Sequence, residues 1–254
     1  MEFLWRLAIG NGGSAVAMTP EQENKNQKVL VGTGLSSDIG QALLKRLGLD
    51  WDVISLGRSA PSRGQWVMAD FRQSDDWLHE LAQILPLRGP VQGVVHLAGL
   101  VYSDVTTGVT RAEWADQMAV NLTSIFLLGQ TLRPFLSSSA SLVLVGSVDA
   151  TLSSQDGPAA AYGAAKAGLY GLMRQWAAEW GPDGIRVNAV APGALSSGNG
   201  PRQDAADLVR RRILLRRLGE PDEVAAVIEF LLSDASRYVT GAWIPVDGGL
   251  NIAY

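Results

Sequence analysis

From Lys28 onward, short apolar runs alternate with stretches of helical periodicity. That alternation is the mark of repeated βαβ units built on a parallel sheet. Val29-Leu30-Val31 is apolar at successive positions and reads as a first strand buried on both faces. Ile39, Leu43, Leu44 and Leu47 follow at helical spacing, with Lys45 and Arg46 in the last turn, where cations complement the helix dipole. Val53 to Leu56 and Trp66 to Ala69 supply a second and a third strand, and Ser74 is expected to cap a helix carrying Trp77, Leu78, Leu81 and Leu85. Val91 to Leu97 is a fourth strand. Thr110 and Glu113 make a capping box for a long helix running towards Leu128. Ser141 to Val145 is a fifth strand, and a helix holding Tyr162 extends to about Trp180. Ile185 to Val190 and Ala242 to Val246 add two more strands, separated by helices at about 203–217 and 221–233. The pattern predicts a three-layer, doubly wound α/β domain: a mostly parallel seven-stranded sheet with helices on both faces.

The 254 residues hold no internal repeat or low-complexity linker, so residues 28–254 form one domain and residues 1–27 an N-terminal arm of glycines and a polar run. Met18 is a candidate alternative start; peptides from Met1–Ala17 in the native protein would refute that. A net charge of −4 without a basic stripe speaks against a nucleic-acid partner. No apolar stretch reaches the length of a membrane span, the start makes a poor signal peptide, and the cytoplasm is the default location. Cysteine is absent, which excludes disulfides and thiolate chemistry, and His79 and His96 form no metal-ligand cluster.

Chemistry concentrates at three places. Thr33 to Gly40 sits between the first strand and the first helix, where glycines permit close approach of backbone to a pyrophosphate and the helix start offers free N–H groups. At the end of the second strand, where an acidic residue would bond the 2′-hydroxyl of NAD, the chain has Gly57-Arg58-Ser59. A guanidinium and a hydroxyl there favour NADP over NAD; a plain surface arginine is the alternative. Tyr162 and Lys166 lie one helical turn apart, so the ammonium can favour the phenolate and bring a phenol of ordinary pKa about 10 within reach of acid–base work.

In order and on the expected elements, these motifs resemble the short-chain dehydrogenase/reductase family in its single-domain form, from Lys28 to Ile252. The likeness includes the glycine loop, Ala98-Gly99, Asn121, Ser147, Tyr162 with Lys166, the run Asn188 to Gly193, Val239-Thr240-Gly241 and Val246-Asp247-Gly248-Gly249. It implies a Rossmann-like fold and an NAD(P)-dependent oxidoreductase interconverting a carbonyl and a secondary alcohol. By the same resemblance Tyr162 is the general acid/base and Ser147 holds the carbonyl oxygen. Lys166 bonds the nicotinamide ribose and lowers the Tyr162 pKa, and Asn121 positions a water leading protons to Lys166. Thr33, Gly34, Ser36 and Gly40 line the pyrophosphate, with Ile39 on the nicotinamide side. Asp70 contacts the adenine amine with Phe71 beside it, Ala98 and Gly99 follow the fourth strand, and Leu195 and Ser197, after Pro192 and Gly193, hold the carboxamide. The family also implies a homotetramer or homodimer, and no metal.

Departures bear on the reading. Asp38 stands where the family's loop has a middle glycine, and a carboxylate there mildly repels a pyrophosphate. His96-Leu97 replaces a usual pair of asparagines; His96 bonds the central sheet or the adenosine side, or is simply a satisfied core histidine. The gap from Ser147 to Tyr162 is longer than usual and Asp149 occupies the common spacing, with the extra length assigned to a loop around Ser153–Pro158. Tyr170, also one turn from Lys166, is expected to pack rather than react. The small residues Gly163, Ala164, Ala167, Gly168 and Gly171 suit a partner subunit or packing within the chain. Arginines at 202, 210, 211, 212, 216 and 217 either meet an acidic substrate or form a solvated helix face. Substrate choice lies in the 149–161 and 195–212 segments, which leave a 3-oxoacyl thioester, a sugar or polyol and a small ketone all open. A catalytically weak NADP sensor or scaffold subunit is the alternative of a different class, and an epimerase or dehydratase would need a larger C-terminal substrate domain.

Overall fold

The computed structural model of the chain describes residues 27–102, 105–153, 159–197 and 206–252. The expected arm (to residue 26), Arg202 and most of the Ser153–Pro158 loop lie outside the described residues. Strands β1 (Lys28–Thr33), β2 (Trp51–Gly57), β3 (Gln65–Met68), β4 (Val91–His96), β5 (Leu136–Val145), β6 (Arg186–Pro192) and β7 (Trp243–Val246) form one sheet in the order β3-β2-β1-β4-β5-β6-β7. Every neighbouring pair is parallel. The alternation of side chains across the pleat explains the two cores. Val29 and Val31 join Ile54, Leu56, Leu142, Leu144 and Val187 on one face. Leu30 joins Val53, Val95, Val143 and Val190 on the other.

Helices α1 (Asp38–Leu47) and α7 (Pro221–Leu232) cover the second face, burying Leu43, Leu44, Val224 and Ile228. Of helices α2 (Asp76–Ile84), α3 (Arg111–Met118), α4 (Ser124–Leu132) and α5 (Ala160–Trp180), α3 packs against α5 and the other three cover the first face; α6 (Ala206–Arg212) precedes α7 in the chain. The motifs after β6 prove to be fastenings. Asn188 donates Nδ2 to Val239 O at 2.9 Å and accepts from Ala242 N at 3.0 Å, while Thr240 Oγ1 accepts from Val187 N. Asp247 accepts from Gly249 N and Asn251 N, closing a turn that needs the positive φ of Gly248 and Gly249.

Four elements differ from expectation. The long helix holds its capping box at Thr110 and Glu113 but is interrupted by a π turn at Ala119–Thr123, then continues to Leu132. Ser74 does not cap α2: Asp75 precedes the helix, no side chain caps it, and Ser74 donates its hydroxyl to the Asp76 carboxylate. β5 begins at Leu136 rather than Ser141, across a register shift against β4. The described part of the helix expected to reach residue 217 stops at Arg212, and Arg216 takes a φ of 57°, which breaks helical propagation.

Candidate active site

The strand order reverses between β1 and β4, and a doubly wound sheet opens its ligand crevice at the C-terminal ends of the strands flanking such a point. Gly34, at φ 67°, lies against the β4 exit so closely that a Cβ would stand 2.7 Å from Ala98 N. The chain then enters α1 with Ser37 Oγ accepting from Gly40 N, and the first-turn N–H groups have no intrahelical acceptor. Ser36 and Asp38 are exposed at this end and Ile39 is half-buried, whereas Gly40 is packed onto the Leu35 backbone. Thr33 is fully buried: its Oγ1 accepts from Ala98 N at 3.1 Å and bonds His96 Nδ1 at 2.8 Å, so its hydroxyl faces the protein interior rather than a ligand.

The adenosine end differs in detail from the sequence reading. Arg58 is exposed just past β2. Asp70 is bound by Arg72, with Nε to Oδ1 at 2.9 Å and Nη2 to Oδ2 at 2.6 Å, and Arg72 with burial offsetting it holds the carboxyl down at about 2. Both of its oxygens therefore already carry a guanidinium. Phe71 packs edge-on against Trp77, centroids 5.1 Å apart.

Four groups converge beside the β4 and β5 exits. Ser147 follows β5; Tyr162 and Lys166 sit in the first two turns of α5, and Asn121 in the π turn. Asn121 donates Nδ2 to Leu100 O at 2.7 Å and to Gln117 O at 2.8 Å, and accepts from Leu100 N at 3.1 Å. Its amide thus clamps the segment after Gly99 and has no hydrogen left for a water. Lys166 is buried, 5.6 Å from the Tyr162 ring centroid, and gives one proton to Val145 O at 2.8 Å. Burial pulls its pKa down to about 7.

The phenol runs against the expectation from spacing. Burial pushes Tyr162 up to about 12; a bond with Ser147 opposes this and the nearby Asp149 charge adds to it. The cation beside it does not outweigh lost hydration, because the cation is itself weakened by burial. Asp149, the rival of Ser147 by spacing, is its hydrogen-bond partner. Its Oδ2 accepts from Ser147 Oγ at 3.0 Å, and burial raises its own pKa above the usual carboxylate value. Tyr170 packs edge-on against Trp243, centroids 5.2 Å apart, away from the reacting groups.

The last wall follows β6. Gly193 abuts Asp247, where a Cβ would stand 2.7 Å from Asp247 Cα, and Pro192 is buried at the strand end. Leu195 bridges Gly219, and Ser197 Oγ is buried without a partner among the described residues. An open space of about 430 Å³ lies alongside, bounded by Leu195, Leu214, Leu215, Val246 and Gly248. Among the described residues no group of His, Asp and Glu stands together as a metal site, and no helix is long and apolar enough to cross a membrane.

A parallel sheet with a glycine turn at its switch point and a tyrosine, lysine and serine beside it defines a dinucleotide-dependent oxidoreductase. Comparison with known proteins carries this to a family. A family model described as Enoyl-(Acyl carrier protein) reductase matches residues 52–251. Protein FixR of Bradyrhizobium diazoefficiens is 35% identical over 93% of this chain and 91% of its own. Acetoacetyl-CoA reductase of Synechocystis is 32% identical over 87% of this chain and 95% of its own. The ligand-free aldohexose dehydrogenase of Thermoplasma acidophilum superposes with a TM-score of 0.81 at 26% identity, covering 91% of this chain and 96% of that one. The chain belongs to the short-chain dehydrogenase/reductase family, NAD(P)-dependent enzymes that interconvert carbonyls and alcohols.

Proposed function

We propose that the chain is an NADP-preferring carbonyl reductase in which Tyr162 protonates the substrate oxygen. The observation that carries this is the convergence of the Tyr162 phenol, the Ser147 hydroxyl and the Lys166 ammonium beside the glycine turn. The residues present fit a dinucleotide. The α1 start offers uncommitted N–H groups; among the described residues Ser197 Oγ is a buried polar atom without a partner, and one of the three N–H donors of the Lys166 ammonium is held by Val145 O. The backbone of Gly34 to Gly40 would hold the pyrophosphate, Lys166 the nicotinamide ribose, and Leu195 and Ser197 the carboxamide. The nicotinamide supplies the hydride.

The chain manages the proton. A phenol held near 12 is fully protonated at neutral pH, which suits it to donate to a carbonyl oxygen as negative charge grows there. Ser147 would share the oxygen by turning its hydroxyl hydrogen from Asp149 to the substrate, and Lys166, whose pKa is near neutrality, returns a proton to the phenolate. Arg58, with no carboxylate at the β2 exit, favours a 2′-phosphate. The intact Ser147, Tyr162 and Lys166 speak against a sensor or scaffold role.

A homodimer or homotetramer is proposed through the outer face of α4 and α5. There Leu122, Phe126, Gly171 and Leu172 bound an open groove of about 500 Å³, with Phe126 exposed and free space at Gly171. Gly163 is spent inside the subunit, against Asp149 O, and Gly168 borders the groove beside Leu122. The substrate class follows from a panel: NADPH oxidation with acetoacetyl-CoA and a small cyclic ketone, and NADP⁺ reduction with an aldohexose. Turnover of one class supports the reading. Binding of NADPH with no turnover of any would contradict it and favour the sensor.

A further inference from the structure

The last residue of β4 is a fully buried histidine that is satisfied on only one side. His96 Nδ1 lies 2.8 Å from Thr33 Oγ1, and among the described residues Nε2 has no hydrogen-bond partner. Thr33 Oγ1 already accepts from Ala98 N, so its own hydrogen is available to His96 Nδ1. A neutral imidazole carries one proton, and an accepting Nδ1 places it on Nε2. Burial and the nearby Lys166 charge keep the ring neutral down to about 3. With Nδ1 accepting, Nε2–H is a buried donor whose bond is unmet among the described residues, which is rare in native cores.

The groups facing it identify the missing contact. From the π turn comes the Asn121 backbone carbonyl, within interaction range of the ring; from α5 comes Lys166. From β1 comes Thr33. Gly99 borders Asn121 and Lys166 alike: a Cβ there would stand 3.5 Å from Asn121 Oδ1 and 3.9 Å from Lys166 Nζ. The His96 ring thus has a carbonyl and an ammonium for neighbours, the kind of polar partners that a bridging water requires. Beyond Lys166 the line continues to Tyr162 and the Asp149 carboxylate.

We propose that His96 is a positioning residue of the proton relay: its Nε2–H grips the Asn121 carbonyl, directly or through one buried water, and so fixes the place where Lys166 recovers the proton it gives to Tyr162. The inference rests on the reductase reading. It also ties the relay, through Thr33, to the strand that leads into the glycine turn.

Two substitutions separate this role from simple packing. His96→Asn keeps a polar atom near Thr33 but cannot reach the far side; His96→Gln places an amide N–H where Nε2–H stood. His96→Asn is expected to lower kcat about tenfold, the effect of losing about 1.4 kcal/mol in the transition state, with the NADPH dissociation constant unchanged and the pH profile displaced. His96→Gln is expected to recover most of it. Equal kcat and pH profile in wild type and His96→Asn would overturn the inference. Because the chain has two histidines, imidazole NMR of wild type, assigned with His79→Gln, reads the tautomer without turnover or a variant at the site. An Nε2–H tautomer is expected, and an Nδ1–H tautomer overturns the inference. Absence of any carbonyl turnover in wild type strikes the reductase reading instead.

Discussion

Ser147 gives its hydroxyl hydrogen to Asp149, with Oγ 3.0 Å from Oδ2, and in return Oγ accepts from the Asp149 backbone N–H at 3.1 Å. The serine that should meet the substrate oxygen is thus turned towards a carboxylate, and that carboxylate also raises the phenol. Reduction needs the protonated phenol, so activity is lost as pH rises through its pKa. Asp149→Asn removes the charge and lowers that pKa. The alkaline limb of carbonyl reduction should move to lower pH by on the order of one unit, read from the pH–rate profile. An unmoved limb would separate Asp149 from the phenol.

Arg58 is exposed just past β2, within electrostatic range of an Asp70 carboxylate that Arg72 already holds. Arg58→Ala should weaken NADPH by about 10–100-fold, the range for a lost charge-assisted hydrogen bond, and leave NADH nearly unchanged. Fluorescence titration with both cofactors checks it, and equal losses would contradict the phosphate role.

Lys166 has a folded-state pKa of about 7, below its ordinary value of 10.5. Between those values the unfolded chain binds a proton that the folded chain does not. The burial penalty is therefore complete below about pH 7 and fades as pH rises towards the ordinary value. Lys166→Met should gain stability relative to wild type as pH falls from about 10 to about 7, by up to 1.36 kcal/mol per unit. Urea unfolding at both ends of the window measures it. A difference independent of pH would place the lysine in water.

Phe126 is 42% exposed beside Gly171, where a Cβ meets nothing within 4 Å. Phe126→Glu sets a charge on that apolar face and should shift the assembly to smaller species, read by light scattering after gel filtration. An unchanged mass would move the interface elsewhere.

The sheet was legible because its strands are apolar at consecutive positions, as Leu142 to Val145 are, and such runs can only be buried. The first five residues of β5, Leu136 to Ala140, were not, because Ser137, Ser138 and Ser139 carry no β signal. The π turn at Asn121 escaped for a different reason. Ile125 and Leu128 continue the apolar stripe past it, so periodicity does not register one extra residue in a turn. At the site, the spacing of Tyr162 and Lys166 gave their proximity. It could not give the protonation balance, which depends on burial by β4, β5 and the π turn, all distant in sequence. The orphan His96 Nε2 likewise appears only once Thr33, Asn121 and Lys166 are folded around it.

The most direct test of the account is Tyr162→Phe, assayed for NADPH binding and for reduction of whichever carbonyl the wild type turns over. The phenyl ring keeps the packing of the phenol and removes its proton. Binding within about twofold of wild type, with kcat down by about 10²–10⁴, is the expected result for loss of a general acid. Turnover at the wild-type rate would contradict it.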